Sequence, residues 1–370
     1  MKALITILCL WVFAVPAISQ FQVQTKWDGK QLALNPVWSR VADIYGENGS
    51  VESVEFSKDG RFIVSGSKFD NTVIMWRTSD GFEMWRQTLP QEIERVAWSP
   101  DGKMVAACSE DFFVRVFDAK TGQLLQEIEH HQGIDGLAWS HDGQFLASGE
   151  ERSQDKNGQQ QAFLTLFKMP EGKVWKQANF GETINEIDFS FDDQYVLAAG
   201  HWGKLNVYTV PDLVLAKEFR GDPKVHFVTA RFSPDLKLIA AGDGQGNYYI
   251  WEFESGKLVT KFDRSGHKVE IVNWTPDGKY LATAGQDPFI RFFRTEDILA
   301  GHRIYTALQV HAGDQAEYLD FNADGSMMVS AHQDGVIRLW IFMSEDPTVN
   351  ARRHRWVKEQ QEKAAREREK

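Results

Sequence analysis

One phrase returns seven times along this chain and constrains its fold more than any other feature. It reads VESVEFSKDG from Val51, IERVAWSPDG from Ile93, IDGLAWSHDG from Ile134, INEIDFSFDD from Ile184, FVTARFSPDL from Phe227, VEIVNWTPDG from Val269 and AEYLDFNADG from Ala316. The aromatic near the middle of each falls at Phe56, Trp98, Trp139, Phe189, Phe232, Trp274 and Phe321, in steps of 42, 41, 50, 43, 42 and 47 residues. A period near 42, with apolar alternation running into a turn, marks stacked four-stranded units. Such a scaffold says less about function than about fold, because chemistry resides in sites grafted onto it.

Each unit divides into four strands by alternation at period two. The phrase supplies the first strand, and its Asp and Gly suit a tight turn. A second strand follows, such as RFIVSGS or KMVAACS. The third ends in an aromatic at Trp76, Phe117, Phe167, Tyr208, Trp251, Phe293 or Trp340, and the fourth is more polar. The seventh unit lacks a fourth strand after Trp340. The segment PVWSRVADIYGENGS before the first unit has the form of one, so Val37 to Tyr45 is expected to complete the last blade and leave no open sheet edge. The long insertion, Glu151 to Gln161, is polar and Gln-rich and reads as a mobile loop.

On these motifs the chain resembles a WD-repeat β-propeller over roughly Asn35 to Met343: all-β, with seven four-stranded antiparallel blades and the N-terminal strand closing the last. The Trp-Asp pair itself is degenerate, reading Trp76-Arg77, Phe117-Asp118, Trp251-Glu252 and Trp340-Ile341. The resemblance implies structural turn aspartates at Asp70, Asp111, Asp287 and Asp334, lost in units three to five, and a structural His267. It also implies a mainly non-catalytic protein.

The first twenty residues, MKALITILCLWVFAVPAISQ, place Lys2 before an apolar run from Ala3 to Val15, then Pro16 and small residues at Ala17 and Ser19. The run is shorter than the roughly 20 residues a membrane span needs. The expectation is a signal peptide over 1–19, with export to a periplasmic or secreted location. It would leave a propeller over 20–346 and a charged, partly helical tail over 347–370. Glu359–Lys363 and Glu362–Arg366 in that tail stand at helical i,i+4 spacing. Cleavage would leave Cys108 as the single thiol, buried and inert, with no disulfide.

The net charge is −11. The tail carries eight basic residues against four glutamates, so the body is more acidic than the total. That disfavours nucleic acid and anionic lipid as partners. No nucleophile elbow, phosphate loop or metal-ligand spacing is present; GDGQGN at Gly242 to Asn247 has no helix after it. No cofactor and no metal are expected. The loop histidines His130, His131, His201, His226, His267, His311 and His332 are spread around the ring and read as structural or solvated.

Aligning the units exposes a column at the second residue of each innermost strand: Glu52, Glu94, Asp135, Asn185, Val228, Glu270 and Glu317. Five of the seven are acidic. In a propeller they would gather around the axial mouth on the face bearing the loops before each first strand. Aromatic residues at Phe69, Phe112, Trp202 and Phe289 lie on the same face and suit interface anchors. Together they predict a scaffold binding a protein or peptide, possibly basic, on its top face, as a monomeric propeller within a complex. Two alternatives stand beside it. One is a propeller hydrolase or lyase with a divalent metal near the axis. The other is a cytoplasmic assembly hub, if the N-terminus is not a signal.

Overall fold

The computed structural model describes residues 33–263, 266–301 and 304–343, together with residues 355, 358, 359, 362 and 366 of the tail. The segment expected to be a signal, 1–19, and most of the tail lie outside the described residues. Within the tail, Glu362 stands 3.8 Å from Arg366 and 3.9 Å from Lys358, both at i,i+4.

Among the described residues, seven four-stranded antiparallel sheets follow one another in chain order. The first blade runs Val51–Phe56, Phe62–Ser67, Thr72–Arg77 and Phe82–Thr88. The other innermost strands are Ile93–Trp98, Ile134–Trp139, Ile184–Phe189, Phe227–Phe232, Val269–Trp274 and Ala316–Phe321. The turn after each is set by its own polar residues. Ser57 Oγ donates to Asp59 Oδ1 at 2.7 Å while accepting from Phe62 N at 3.0 Å, and Arg61 N donates to Asp59 Oδ1. Equivalent pairs recur at Ser99–Asp101, Ser140–Asp142, Ser190–Asp192, Ser233–Asp235, Thr275–Asp277 and Asn322–Asp324. These side chains mimic the missing backbone partners of a turn.

The apolar core is divided among the blade–blade contacts. The cluster of Val64, Met75, Ile93, Trp98 and Phe117, for example, joins the first blade to the second. The aromatics ending the third strands are all buried. The ring closes as the sequence predicts: Ala33–Val41 pairs with Val336–Met343 on the outside of the last blade. The strand sits four residues earlier than expected. It bulges between Pro36 and Trp38, where proline supplies no N–H to a ladder. Within the insertion, Ser153–Gln154 pairs with Gln160–Gln161. Asp155 Oδ1 fixes the tip of this short hairpin by accepting from the backbone N–H groups of Asn157 and Gln159, each at 2.8 Å. The turn residues Asp, Asn and Gly inside this polar segment favour a hairpin over an open loop.

Candidate functional site

In each innermost strand the pairing register slips between the first and third residues, at Val51/Ser53, Ile93/Arg95, Ile134/Gly136, Ile184/Glu186, Phe227/Thr229, Val269/Ile271 and Ala316/Tyr318. The column residue is therefore the extra residue of a β-bulge. A bulge frees one residue from the ladder and re-aims its side chain. Repeated around the ring, it turns all seven column residues onto one axial mouth of about 400 Å³. That lies within the usual range of ligand pockets, roughly 300–1,000 Å³.

The mouth is more charged than the column alone. Glu92, Glu110 and Glu151 join the five column carboxylates, and Lys68, Arg95 and Lys268 face them. Eight carboxylates meet three cations, and only part of the acidity is paired. Lys68 Nζ lies 3.4 Å from Glu92 and 3.5 Å from Glu94; Lys268 Nζ lies 2.8 Å from Glu270. Ser50 Oγ donates to Glu52 at 2.7 Å, and Gln333 donates to Glu317. Asn185 is used structurally, its amide donating to Phe227 O in the next blade at 2.6 Å.

Burial, and after it the neighbouring carboxylates, make Glu317, Glu110 and Asp135 hard to ionise. Burial, then the charges of Glu270 and Glu52, push Glu317 up to about 8. Burial, then Glu151 and Glu94, raise Glu110 to about 7. Asp135 is raised by burial and by Glu94, Glu151 and Glu110. At Lys68 burial opposes the charge, but Glu94, Glu52 and Glu92 outweigh it and hold the ammonium above its usual range. A carboxyl whose folded-state pKa is raised contributes stability at low pH that is lost as pH climbs through that value. Glu317→Gln is thus expected to stabilise the protein at pH 8 by on the order of 1 kcal/mol or more, with little effect at pH 5. Denaturant melts at the two pH values check this; an equal effect at both removes Glu317 from the titration.

Ligand oxygens of Glu110, Asp135 and Glu151 all lie within 4.8 Å of one another. With one oxygen from each, the three carboxylates supply at most half of the six to eight that Ca²⁺ takes, and only bidentate binding by all three would reach six. The trio is read as part of the acidic wall.

Loops after each second strand share this face, because antiparallel strands bring the ends of second strands to the starts of first strands. Phe69, Phe112 and Trp202 stand about half exposed there. Phe289 does not: His311 meets its ring edge-on at 5.2 Å and the Arg291 guanidinium covers it at 5.4 Å. Phe289 is packing, not an open anchor. Phe112 and Trp202 hold φ of +73° and +59°. Bulky side chains reach this left-handed region at a cost of about 1–2 kcal/mol. Phe112→Gly is therefore expected to leave the melting temperature unchanged or raise it. A clear fall would make the ring a structural one.

The turn aspartates hold backbone and arginine. Asp70 accepts from Thr72 N and from Ile44 N at 3.0 Å. Asp111, Asp287 and Asp334 each pair with the arginine four residues on, Arg115, Arg291 and Arg338. In the fifth unit, read from sequence as lacking such a residue, the buried Asp243 takes the same part. It accepts from Gln245 N and Asn247 N at 2.9 Å, so GDGQGN is a capped turn. His267 is an exposed loop residue. A buried relay runs through His332, whose Nε2 lies 2.7 Å from Ser330 Oγ, which accepts from Trp340 Nε1 at 2.8 Å. Burial pulls His332 down to about 3, so the ring stays neutral. His332 ends a strand and is buried, unlike the loop position expected.

Below the mouth the channel is closed by buried charge. Arg231 Nη1 lies 2.9 Å from Glu186, and Arg95 approaches the same carboxylate at 3.8 Å. Both guanidinium groups lie against the Tyr318 ring, at 5.7 and 5.1 Å. Neighbouring innermost strands are also clasped by side chains: Glu55 accepts from Trp98 N, Asp188 from Phe232 N and Asp320 from Phe56 N.

This geometry defines a seven-bladed β-propeller, and the comparisons agree. The model described as "WD domain, G-beta repeat" matches residues 38–77, 256–294 and 301–340. The "Anaphase-promoting complex subunit 4 WD40 domain" model matches residues 68–142. The chain is a propeller built from WD40 repeats. It is similar to a WD repeat-containing protein 26 homolog of Arabidopsis thaliana, 25% identical over 66% of this chain and 48% of the relative. It thus spans about half the length of that relative. It is also similar to the target of rapamycin complex subunit wat1 of Schizosaccharomyces pombe, at 24% identity over 66% of this chain and 78% of the relative. THO complex subunit 3 of Arabidopsis thaliana is 21% identical over 70% of this chain and 81% of the relative. No enzyme family is indicated by these matches. They overturn the expectation of export: the relatives are intracellular eukaryotic proteins, and they point to the cytoplasm or nucleus. An apolar run ahead of small residues is too generic a signal to outweigh them.

Proposed function

We propose that this propeller is a non-catalytic scaffold that holds a basic segment of a protein partner at its acidic axial mouth, within a larger assembly. The observation that carries this reading is the convergence of seven bulge residues on one mouth where carboxylates outnumber cations eight to three. Charge of one sign in a cleft steers an oppositely charged partner and raises its association rate. Two relatives carry names as subunits of complexes, which supports a place in an assembly. The metal-dependent hydrolase or lyase reading has less behind it, given three donors and no enzyme family among the matches.

The test starts from affinity capture of the partner and continues with its association kinetics. Changing Glu52, Glu94, Glu270 and Glu317 to Gln keeps shape and removes charge, with Glu317 adding its full share only above pH 8, so the kinetics are read at pH 9. Folding is expected to survive, while association slows about tenfold or more at low ionic strength and less at high salt. An association rate that matches wild type at every salt concentration places the binding surface elsewhere.

A further inference from the structure

A second feature of the top face lies beside the column and takes in one of its neighbouring aromatics, Phe69, together with the loop after the closing strand. Asp43 is fully buried and accepts three backbone N–H groups, from Tyr45 at 2.9 Å, Ser50 at 3.2 Å and Phe69 at 3.1 Å. Asp70 accepts a fourth from Ile44 at 3.0 Å. These two carboxylates lock the loop after the closing strand to the loop that ends the second strand of blade one. What they present to solvent is apolar: Ile44 is 70% exposed, Tyr45 55% and Phe69 53%. The platform is therefore held from beneath by a satisfied polar frame, so its side chains are preorganised to bury area without first ordering a loop. Exposed apolar groups held on two loops that share one polar frame mark an interaction site.

The platform is joined to the acidic mouth. Ser50 links them directly, its N–H on Asp43 and its hydroxyl on Glu52. Lys68, which lines the mouth, immediately precedes Phe69 on the platform. Resting on the reading above, we infer that the top face recognises two features of one extended partner segment: a cationic side chain in the mouth and, a short distance along, an apolar side chain on Ile44, Tyr45 and Phe69. Complementary charge favours the cation at the mouth, and the lack of ionised groups among the three platform residues favours an aliphatic or aromatic group beside it. The cation supplies steering and the apolar residue slows dissociation.

The test uses acetylated peptides with one arginine and one leucine separated by Gly/Ser spacers of increasing length, with arginine-only and leucine-only controls, read by fluorescence anisotropy on the full chain. The expected result is an optimum spacer at which affinity exceeds that of the arginine-only peptide about tenfold. The Ile44→Ser/Phe69→Ser variant, altered only at exposed positions, should melt as wild type and lose that optimum while retaining weak, salt-sensitive arginine binding. The inference is overturned if leucine adds nothing at any spacer, if the double variant binds as wild type, or if wild type binds no peptide of the set. Failure of the mouth reading looks different: the four-Gln variant would then keep its arginine-only binding.

Discussion

Arg231→Met is expected to destabilise the protein by about 3–5 kcal/mol at pH 8, because removing one partner leaves buried opposite charge uncompensated. Arg231 is one of the two cations, with Arg95, that meet Glu186 and the Tyr318 ring below the mouth, and it is the nearer of them to Glu186. It pairs with Glu186 at 2.9 Å and donates to the Tyr318 hydroxyl at 2.5 Å. Its charge also reaches three other acids. Asp188 is raised to about 6 by burial, against the pull of Arg231. Glu55 is raised to about 8 by burial and by Asp320, with the Trp98 N–H and Arg231 opposing. Asp320 is raised to about 6 by burial, opposed by backbone N–H groups and Arg231. Loss of the guanidinium would raise these values further, so the carboxyls would protonate more readily. The sign follows: the penalty should shrink as pH falls from 8 toward 5, where protonation relieves the unpaired charge. Chemical denaturation at both pH values measures it. A penalty of the same size at each would show that Arg231 acts through packing.

Trp38→Ala should cost a similar amount, about 3–5 kcal/mol, by the usual penalty for emptying a large buried site. Trp38 lies on the strand that closes the ring, and its ring N–H donates to Thr78 O of blade one at 2.8 Å. Its neighbour Arg40 reaches the same blade, donating to Gly81 O at 2.9 Å and to Asp80 O. The closing strand thus covers the edge of the last blade and fastens that blade to the first. A cooperative fall in melting temperature, with more aggregation as the edge beside Trp340 opens, is the expected outcome. An unchanged melting curve would mean that the first and last blades hold together without this strand.

The number of blades, the closing strand and the acidic column were all legible in the chain, because each depends on a local pattern repeated seven times. Alternation at period two decides which residues face a neighbouring blade. The Ser-x-Asp-Gly turn reverses the chain with its own side chains, as Ser57 and Asp59 show. Once the units are aligned, symmetry brings equivalent positions to one axis, so Glu52 and Glu317 can be placed together without coordinates. The bulge that aims them there is not written in any one residue; it emerges from how the first strand pairs with the second. Tertiary structure also decided whatever breaks the repeat. Glu110 and Glu151 enter the mouth from the position just after the second strand, which is Lys68 in blade one and His201, Gly244, Gln286 and Gln333 in later blades, so the position recurs but its charge does not. Phe69 and Phe289 look alike in sequence, yet one is open and the other lies between His311 and Arg291. The hydrophobic pattern sets side-chain direction relative to a sheet. It does not set what a neighbouring blade places opposite, and on this top face those neighbours determine which charges are paired and which rings remain free to bind.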